Sequence, residues 1–498
     1  MKQVYLMALD QGTTSSRTMI FDASGRVIAK AAQEFTQHFP HEGWVEHNAE
    51  EILESQLDTI NEALLAAGLA PQDIAAIGIT NQRETTVVWE RATGKPIAPA
   101  IVWQCRRTEA DCAALIAAGH DKMIREKTGL PPDPYFSATK LKWLLDHTAG
   151  ARERAENGEL LFGTVDSWLI YRLTGGKVHA TDPSNASRTM LYNIHQGKWD
   201  KELLQLFDIP EAMLPEVRPT VGSFGETSPA LVGAAIPITG VAGDQQAALF
   251  GQCCFDAGDI KNTYGTGGFL LMNTGGSPVC SKHGLLTTVG WQIGEKITYV
   301  LEGSVFICGA AVQWLRDGLG LISGSSECEA IAATVPDSGG VCFVPAFVGL
   351  GTPYWNAAAR GTICGITRGT TRAHLVRATL DAMALQTVDV VEAMRLDTGL
   401  AVPMLRVDGG AAANDLLLQM QSDYAALSVL RPACIETTAW GAASLAGLGI
   451  GVYKNLSDLR CLTETATVFT PAMDATKREA QLAKWHKAIA AATAFSAT

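Results

Sequence analysis

The sequence predicts an α/β protein of two large lobes facing each other across a cleft, and three observations carry that expectation. Two Gly/Thr-rich turns, Leu9-Asp10-Gln11-Gly12-Thr13-Thr14-Ser15-Ser16-Arg17 and Tyr264-Gly265-Thr266-Gly267-Gly268-Phe269, each join two apolar, β-rich runs. They lie about 250 residues apart in a chain of 498, as one nucleotide-gripping unit used twice would. Between them strands mix with helices, the pattern of layered α/β lobes. Length alone suggests roughly three domains. The duplication favours two, 1–251 and 252–498, with inserted segments making up the length.

The first lobe reads as strand, turn, strand, turn, strand over Val4–Leu9, Thr18–Asp22 and Arg26–Ala29. A helix follows. Asn48 is placed to cap it, Glu51 stands at the capping-box position, and Ile52, Leu53, Leu57, Ile60 and Leu64 form its apolar stripe before Gly68 stops it. A buried strand, Ile74–Ile79, ends in Thr80-Asn81-Gln82-Arg83-Glu84, and polar residues just past strand ends are where ligands sit in such sheets. The second lobe starts near Gln252–Asp259. Strands are expected at Asp259–Tyr264, Phe269–Asn273, Leu285–Trp291, Ile297–Leu301 and just before Gly409-Gly410. Helices are expected over Gly309–Leu319 and Arg372–Leu396.

Composition narrows the function. Hydrophobic residues at 47% and charged residues at 18% fit a globular chain and exclude wholesale disorder. A net charge of −12 argues against a nucleic-acid partner, which needs a basic face. A small anionic ligand stays possible, since backbone dipoles act locally. No apolar run reaches the roughly 18 residues of a membrane span, and Val4 to Leu9 is too short for a signal-peptide core. Eleven cysteines without paired or C-x-x-C spacing argue for reduced thiols in a cytoplasmic protein and against a zinc site. P-loop, kinase H-R-D, Rossmann G-x-G-x-x-G and G-x-S-x-G motifs are all missing.

Several residues admit both a plain and a chemical reading. Asp10 is an Asx-turn residue or, with the hydroxyls of Thr13, Thr14, Ser15 and Ser16 and the charge of Arg17, part of a metal–nucleotide phosphate site. Asp244, in Gly240-Val241-Ala242-Gly243-Asp244-Gln245-Gln246, caps a helix or approaches a polar ligand. Arg83-Glu84 is an exposed ion pair or a binding pair. Trp103 is core or ligand wall, and Tyr135 is loop packing or the same wall.

Taken together, the residues become recognisable. The stretches Asp10 to Arg17, Gly43 to His47, Gly78 to Thr86, Ile101 to Thr108, Asn185 to Met190, Ala242 to Gly251, Asn262 to Gly267, Val407 to Gly410 and Thr437 to Gly447 resemble the glycerol kinases of the carbohydrate-kinase family. So do the family's two general motifs, over Tyr135 to His147 and Gly361 to Asp381. The resemblance implies two actin-like (ribonuclease-H-like) lobes closing on Mg-ATP and glycerol. It implies Asp244 as general base, and Arg83, Glu84, Tyr135, Asp244 and Gln245 holding the hydroxyls, with Trp103 and Phe269 against the carbons. Thr13, Thr14, Ser15, Arg17 and Thr266 would contact phosphates, and Gly309, Gln313, Gly410 and Asn414 would seat the rest of the nucleotide. Asp10 would hold Mg²⁺ through water. A homodimer or homotetramer is implied, with no nucleic-acid partner and no membrane insertion.

The chain departs from that pattern at Gly268, where cysteine is frequent, and at Ala411-Ala412-Ala413 after Gly410. Leu231-Val232-Gly233-Ala234-Ala235-Ile236 lacks the extra glycines and the arginine with which some relatives bind fructose 1,6-bisphosphate. Weak or absent inhibition by that compound is expected. A kinase for another small polyol and an actin-like ATPase that switches a protein partner are the competing readings. Arg83-Glu84, Trp103 and Asp244 speak for a polyol pocket, which a switch protein has no need of.

Overall fold

The computed structural model describes residues 3–462 and 466–495. Its first sheet has five strands, β1 (Tyr5–Gln11), β2 (Ser15–Asp22), β3 (Val27–Glu34), β4 (Ile74–Asn81) and β5 (Ile238–Gly243), in the order β5-β4-β1-β2-β3. β1, β2 and β3 form an antiparallel meander, while β4 and β5 run parallel to β1. The central strands are covered on both faces, so they read as continuous apolar runs such as Leu6-Met7-Ala8-Leu9, all fully buried.

One face is covered by α1 (Ala49–Ala67). Asn48 caps it by accepting from the Glu50 N–H at 3.0 Å, and Gly68 ends it at φ +65°. Glu51 departs from the expected capping box. Its carboxylate takes the Asn48 side chain at 3.3 Å and the Thr36 N–H at 3.2 Å, so it ties the helix start to the chain beyond β3. The chain between β4 and β5 makes a helical insertion with its own core around Phe136, Leu141, Phe162 and Leu203.

The second sheet repeats the plan. β6 (Ile260–Tyr264), β7 (Gly268–Gly275), β8 (Leu286–Ile293), β9 (Lys296–Val305), β10 (Leu405–Asp408), β11 (Val429–Pro432) and β12 (Ala466–Phe469) lie in the order β8-β9-β7-β6-β10-β11-β12. β6, β7 and β9 are the antiparallel set, and β10 and β11 run parallel to β6, as β4 and β5 do to β1. Helices α2 (Asp244–Gly251), α3 (Gly309–Asp317) and α4 (Arg372–Thr398) follow the expected positions, and α5 (Asp415–Ala425) is a helix the sequence reading left out. α4 is buried at Leu380, Met383, Val388, Val391 and Met394, within the second core.

A further helix, α6 (Thr437–Gly449), crosses back and packs on the first sheet and on α2, where Ala439, Ala442, Ala443 and Leu445 share a core with Leu6, Ala8 and Phe21. Small residues make this possible. A Cβ at Gly441 would stand 1.9 Å from the Ala247 carbonyl oxygen, and one at Gly78 would stand 2.0 Å from that of Ala442.

Candidate active site

Both turns form tight hairpins. In the first, the Gly12 N–H donates to the Ser15 carbonyl at 2.9 Å between β1 and β2. In the second, the Gly265 N–H donates to the Gly267 carbonyl at 2.9 Å, and the start of α3 closes against it through Gly309 N–H to Gly265 O at 2.9 Å. A Cβ on Gly309 would lie 2.6 Å from that carbonyl, so this junction requires glycine. A Cβ on Gly268 would meet nothing closer than 3.5 Å, so the cysteine common there would fit.

Thr266, Gly309, Gln313, Gly410 and Asn414 line one cavity of about 500 Å³ in the second lobe, together with Leu380, Met383 and Leu417. Its walls are apolar and small with a few polar groups, as a nucleoside site needs. Asn414 also caps α5, accepting from the Leu417 N–H at 2.8 Å. Thr13, Thr14, Ser15, Arg17 and Asp244 do not line that cavity.

The remaining residues gather where the ends of β1, β4 and β5 meet the insertion. Asp244 is the first residue of α2, with its side chain 33% exposed. Gly243 is the N-cap and Asp244 the first helical residue, so Asp244 does not cap α2 as expected; its carboxylate takes the adjacent N–H of Gln245 at 2.8 Å. Arg83 Nε lies 3.2 Å from Asp244 Oδ1 and 3.7 Å from Glu84 Oε1, and it is buried, which removes the exposed-pair reading. Glu84 takes a left-handed backbone, φ +63°, that turns the chain sharply after β4.

Trp103 and Tyr135 come from the insertion and form one aromatic wall, with ring centroids 5.4 Å apart. Trp103 Nε1 donates to Thr13 Oγ1 at 3.0 Å, tying that wall to the first hairpin. Lys140 donates to the Tyr135 carbonyl at 2.7 Å, and burial pulls its ammonium down to about 7. Phe269 is joined to the group through Lys261, whose ammonium donates to Gln245 Oε1 at 2.5 Å and to the Phe269 carbonyl at 3.3 Å. Burial lowers Lys261 to about 8.

Asp10 sits near the end of β1, where its backbone is paired with Arg17 and Thr80, while its side chain makes no hydrogen bond to a described residue. Burial raises its carboxyl to about 6. Asp244 and Glu436 push the same way, and Arg17 opposes them. Arg17 itself lies 3.6 Å from Glu436. A recessed carboxylate with a second carboxylate nearby and no protein donor suits a hard divalent cation bound through water.

Like Lys140 and Lys261, the residues Arg188, Gln246 and Glu302 carry no role in the sequence reading. Arg188 donates to Glu84 and lies over the Tyr135 ring at 4.9 Å. Glu302 receives Arg83 Nη1 at 2.8 Å and Gln246 Nε2 at 3.2 Å. A charged residue inside the apolar run of β9 was the available signal, since a buried charge demands a partner.

With this geometry in view, comparison with known proteins places the chain. It belongs to the FGGY family of carbohydrate kinases, whose N-terminal domain model matches residues 5–251 and whose C-terminal domain model matches 260–450. Within that family it belongs with the glycerol kinases. It is 57% identical to glycerol kinase 2 of Thermotoga maritima, over 97% of this chain and 98% of that one. It is also 57% identical to the glycerol kinase of Deinococcus radiodurans, over 98% and 97%. The crystal structure of Plasmodium falciparum glycerol kinase with ADP superposes with a TM-score of 0.92 at 36% identity, covering 98% of each chain. Gluconate kinase from Lactobacillus acidophilus, 20% identical with a TM-score of 0.88, shares the fold.

Proposed function

We propose that this chain transfers the γ-phosphoryl group of ATP to a terminal hydroxyl of glycerol, giving sn-glycerol 3-phosphate, with Asp244 as the general base. The observation that carries the reading is the position of Asp244. It is a partly open carboxylate at a strand–helix junction, steadied by Arg83 and Gln245, beside the wall of Trp103 and Tyr135. The near-full-length identity to glycerol kinases supports the substrate.

The 500 Å³ cavity takes the adenosine end, through Gly309, Gln313, Gly410 and Asn414. The phosphates reach out of it to Thr266 and, from the first hairpin, to Thr13, Thr14, Ser15 and Arg17. Phosphoryl transfer asks mainly for positioning and charge neutralisation. Donors fixed by hairpin backbones supply both without reorganising. Mg²⁺, held by Asp10 through water, would neutralise charge on the phosphates. Arg83, Glu84, Tyr135 and Gln245 hold the hydroxyls, Trp103 and Phe269 pack the carbon chain, and Asp244 takes the proton of the attacking hydroxyl. A pocket that pairs each hydroxyl rejects substrates that leave its buried partners unmade.

The protein acts in the cytoplasm as a homodimer or homotetramer in this reading. Its eleven cysteines, without C-x-x-C spacing, suit a reducing compartment. A coupled ADP-release assay with glycerol, erythritol, xylulose and gluconate tests the substrate. Glycerol should give the highest kcat/KM by at least tenfold, and ADP release that ignores glycerol would overturn the reading. Light scattering of the purified protein tests the assembly.

A further inference from the structure

The cluster around Arg83 is not closed by the first lobe. Glu302 reaches it from the middle of β9 in the second sheet, paired with Leu271 of β7 and Leu286 of β8. Its side chain is 3% exposed. One carboxylate oxygen takes Arg83 Nη1 at 2.8 Å and lies 3.4 Å from Arg188 Nη1. The other takes Gln246 Nε2 at 3.2 Å and the hydroxyl of Thr288. Arg83 and Arg188 come from the first lobe and Thr288 from the second, so this one carboxylate fastens the two lobes beside the reacting centre.

We infer that Glu302 is a positioning residue for the alcohol. It fixes the Arg83 guanidinium so that Nε faces Asp244 and Glu84 while Nη2, which makes no hydrogen bond to a described residue, is left for a substrate hydroxyl. The inference rests on the assignment of Arg83 to that contact.

The argument is one of charge and direction. Two buried guanidiniums, Arg83 and Arg188, face Glu84, Asp244 and Glu302. Arg188 is committed to Glu84 and lies over the rings of Tyr135 and Phe136. With Glu302 gone, Nη1 of Arg83 keeps only the neutral Gln246 Oε1 at 3.1 Å, and Asp244, 3.2 Å from its Nε, is the nearest remaining carboxylate. A guanidinium beside a carboxylate turns to the two-point pairing. That would occupy the oxygen Asp244 needs for the proton and withdraw Nη2 from the alcohol. Burial opposes ionisation of Glu302, yet Arg188 and Arg83 overcome it and hold the carboxyl down to about 2, so the anion is in place throughout the working range.

Glu302→Gln keeps the shape and removes the charge. The expected result is a glycerol KM raised at least tenfold, the scale of one charge-assisted hydrogen bond, with the ATP KM within about twofold. A purely structural pair would lower the active fraction, and hence kcat, and leave the glycerol KM of the surviving enzyme unmoved. That outcome, or both KM values rising together, overturns the inference. If Glu302→Gln does not fold, Thr288→Val removes one donor to Glu302 at nearly constant shape. It should raise the glycerol KM about two- to fivefold with ATP unaffected, and an unchanged value overturns the inference. Arg83→Gln separates the two claims. An unchanged glycerol KM there sinks the assignment of Arg83, whereas a raised one beside a normal Glu302→Gln sinks this inference alone.

Discussion

Trp103 Nε1 donates to Thr13 Oγ1 at 3.0 Å, and this bond joins a residue of the alcohol wall to a residue of the first phosphate hairpin. Trp103 also leans on Tyr135, so the two halves of the proposed site share one rigid element. Trp103→Phe keeps the ring packing and removes the donor, and Thr13→Val removes the acceptor. Each should lower kcat/KM about two- to tenfold. In the double variant the losses should not add, leaving a coupling of about 0.5–1.5 kcal/mol in a double-mutant cycle. Additive losses would mean that the bond carries nothing between the subsites.

Asp244→Asn tests the base. Its amide keeps the shape beside Arg83 and Gln245 but cannot accept the proton. Turnover should fall about 10²–10⁴-fold. ADP affinity, read by calorimetry, should stay within about twofold, because Asp244 does not line the nucleotide cavity. Turnover within tenfold of the parent would remove Asp244 from the chemistry.

Lys140 gives the fold a pH dependence whose sign can be worked out. Burial brings its folded pKa to about 7 from 10.5, so unfolding takes up a proton between those values. Stability from this group therefore rises as pH climbs from 7 toward 10.5, by at most about 1.4 kcal/mol per pH unit. Lys140→Met removes the titration. Urea midpoints of parent and variant should differ most at pH 7 and converge, with the parent gaining, toward pH 10. Parallel curves would show that Lys140 stays charged in the folded state.

Gly441 lies where α6 crosses α2, and an added methyl meets the Ala247 carbonyl oxygen at 1.9 Å with backbone on both sides. Gly441→Ala should destabilise by about 2–3 kcal/mol, since neither helix can yield locally. Gly324→Ala, whose new methyl meets nothing closer than 3.7 Å, should stay within about 0.5 kcal/mol. Equal effects in thermal scans would mean that the seam is looser than its spacing implies.

The parts of the site legible in the sequence are those written in local chemistry. The hairpins announce themselves through glycine and hydroxyl runs, and Asp244 through a Gly-Asp step between a buried strand and a helix. Glu84 was readable as a polar residue past a strand end, but its left-handed backbone was not. Arg188 stayed silent, and Glu302 showed only as a charge inside an apolar strand, because their roles come from partners more than 100 residues away, in a cluster that only the fold assembles. The same limit hid α6. Its alanines and glycines specify a close approach without saying to what, and the first sheet as its partner is a tertiary fact. Glu51 shows the reverse case, where a correct helix start conceals a different set of bonds.

The return of α6 onto the first sheet also bears on how the chain is made. At about 5–20 residues per second, the ribosome finishes Gly251 some 10–40 s before Gly449. Through that interval Leu6, Ala8, Phe21 and Ala76 lack the neighbours that later shield them. The amino-terminal half is thus born with an uncovered greasy flank, and it should need either a chaperone or its own tail. Severed at the midpoint, the two pieces should stay in solution only when produced together.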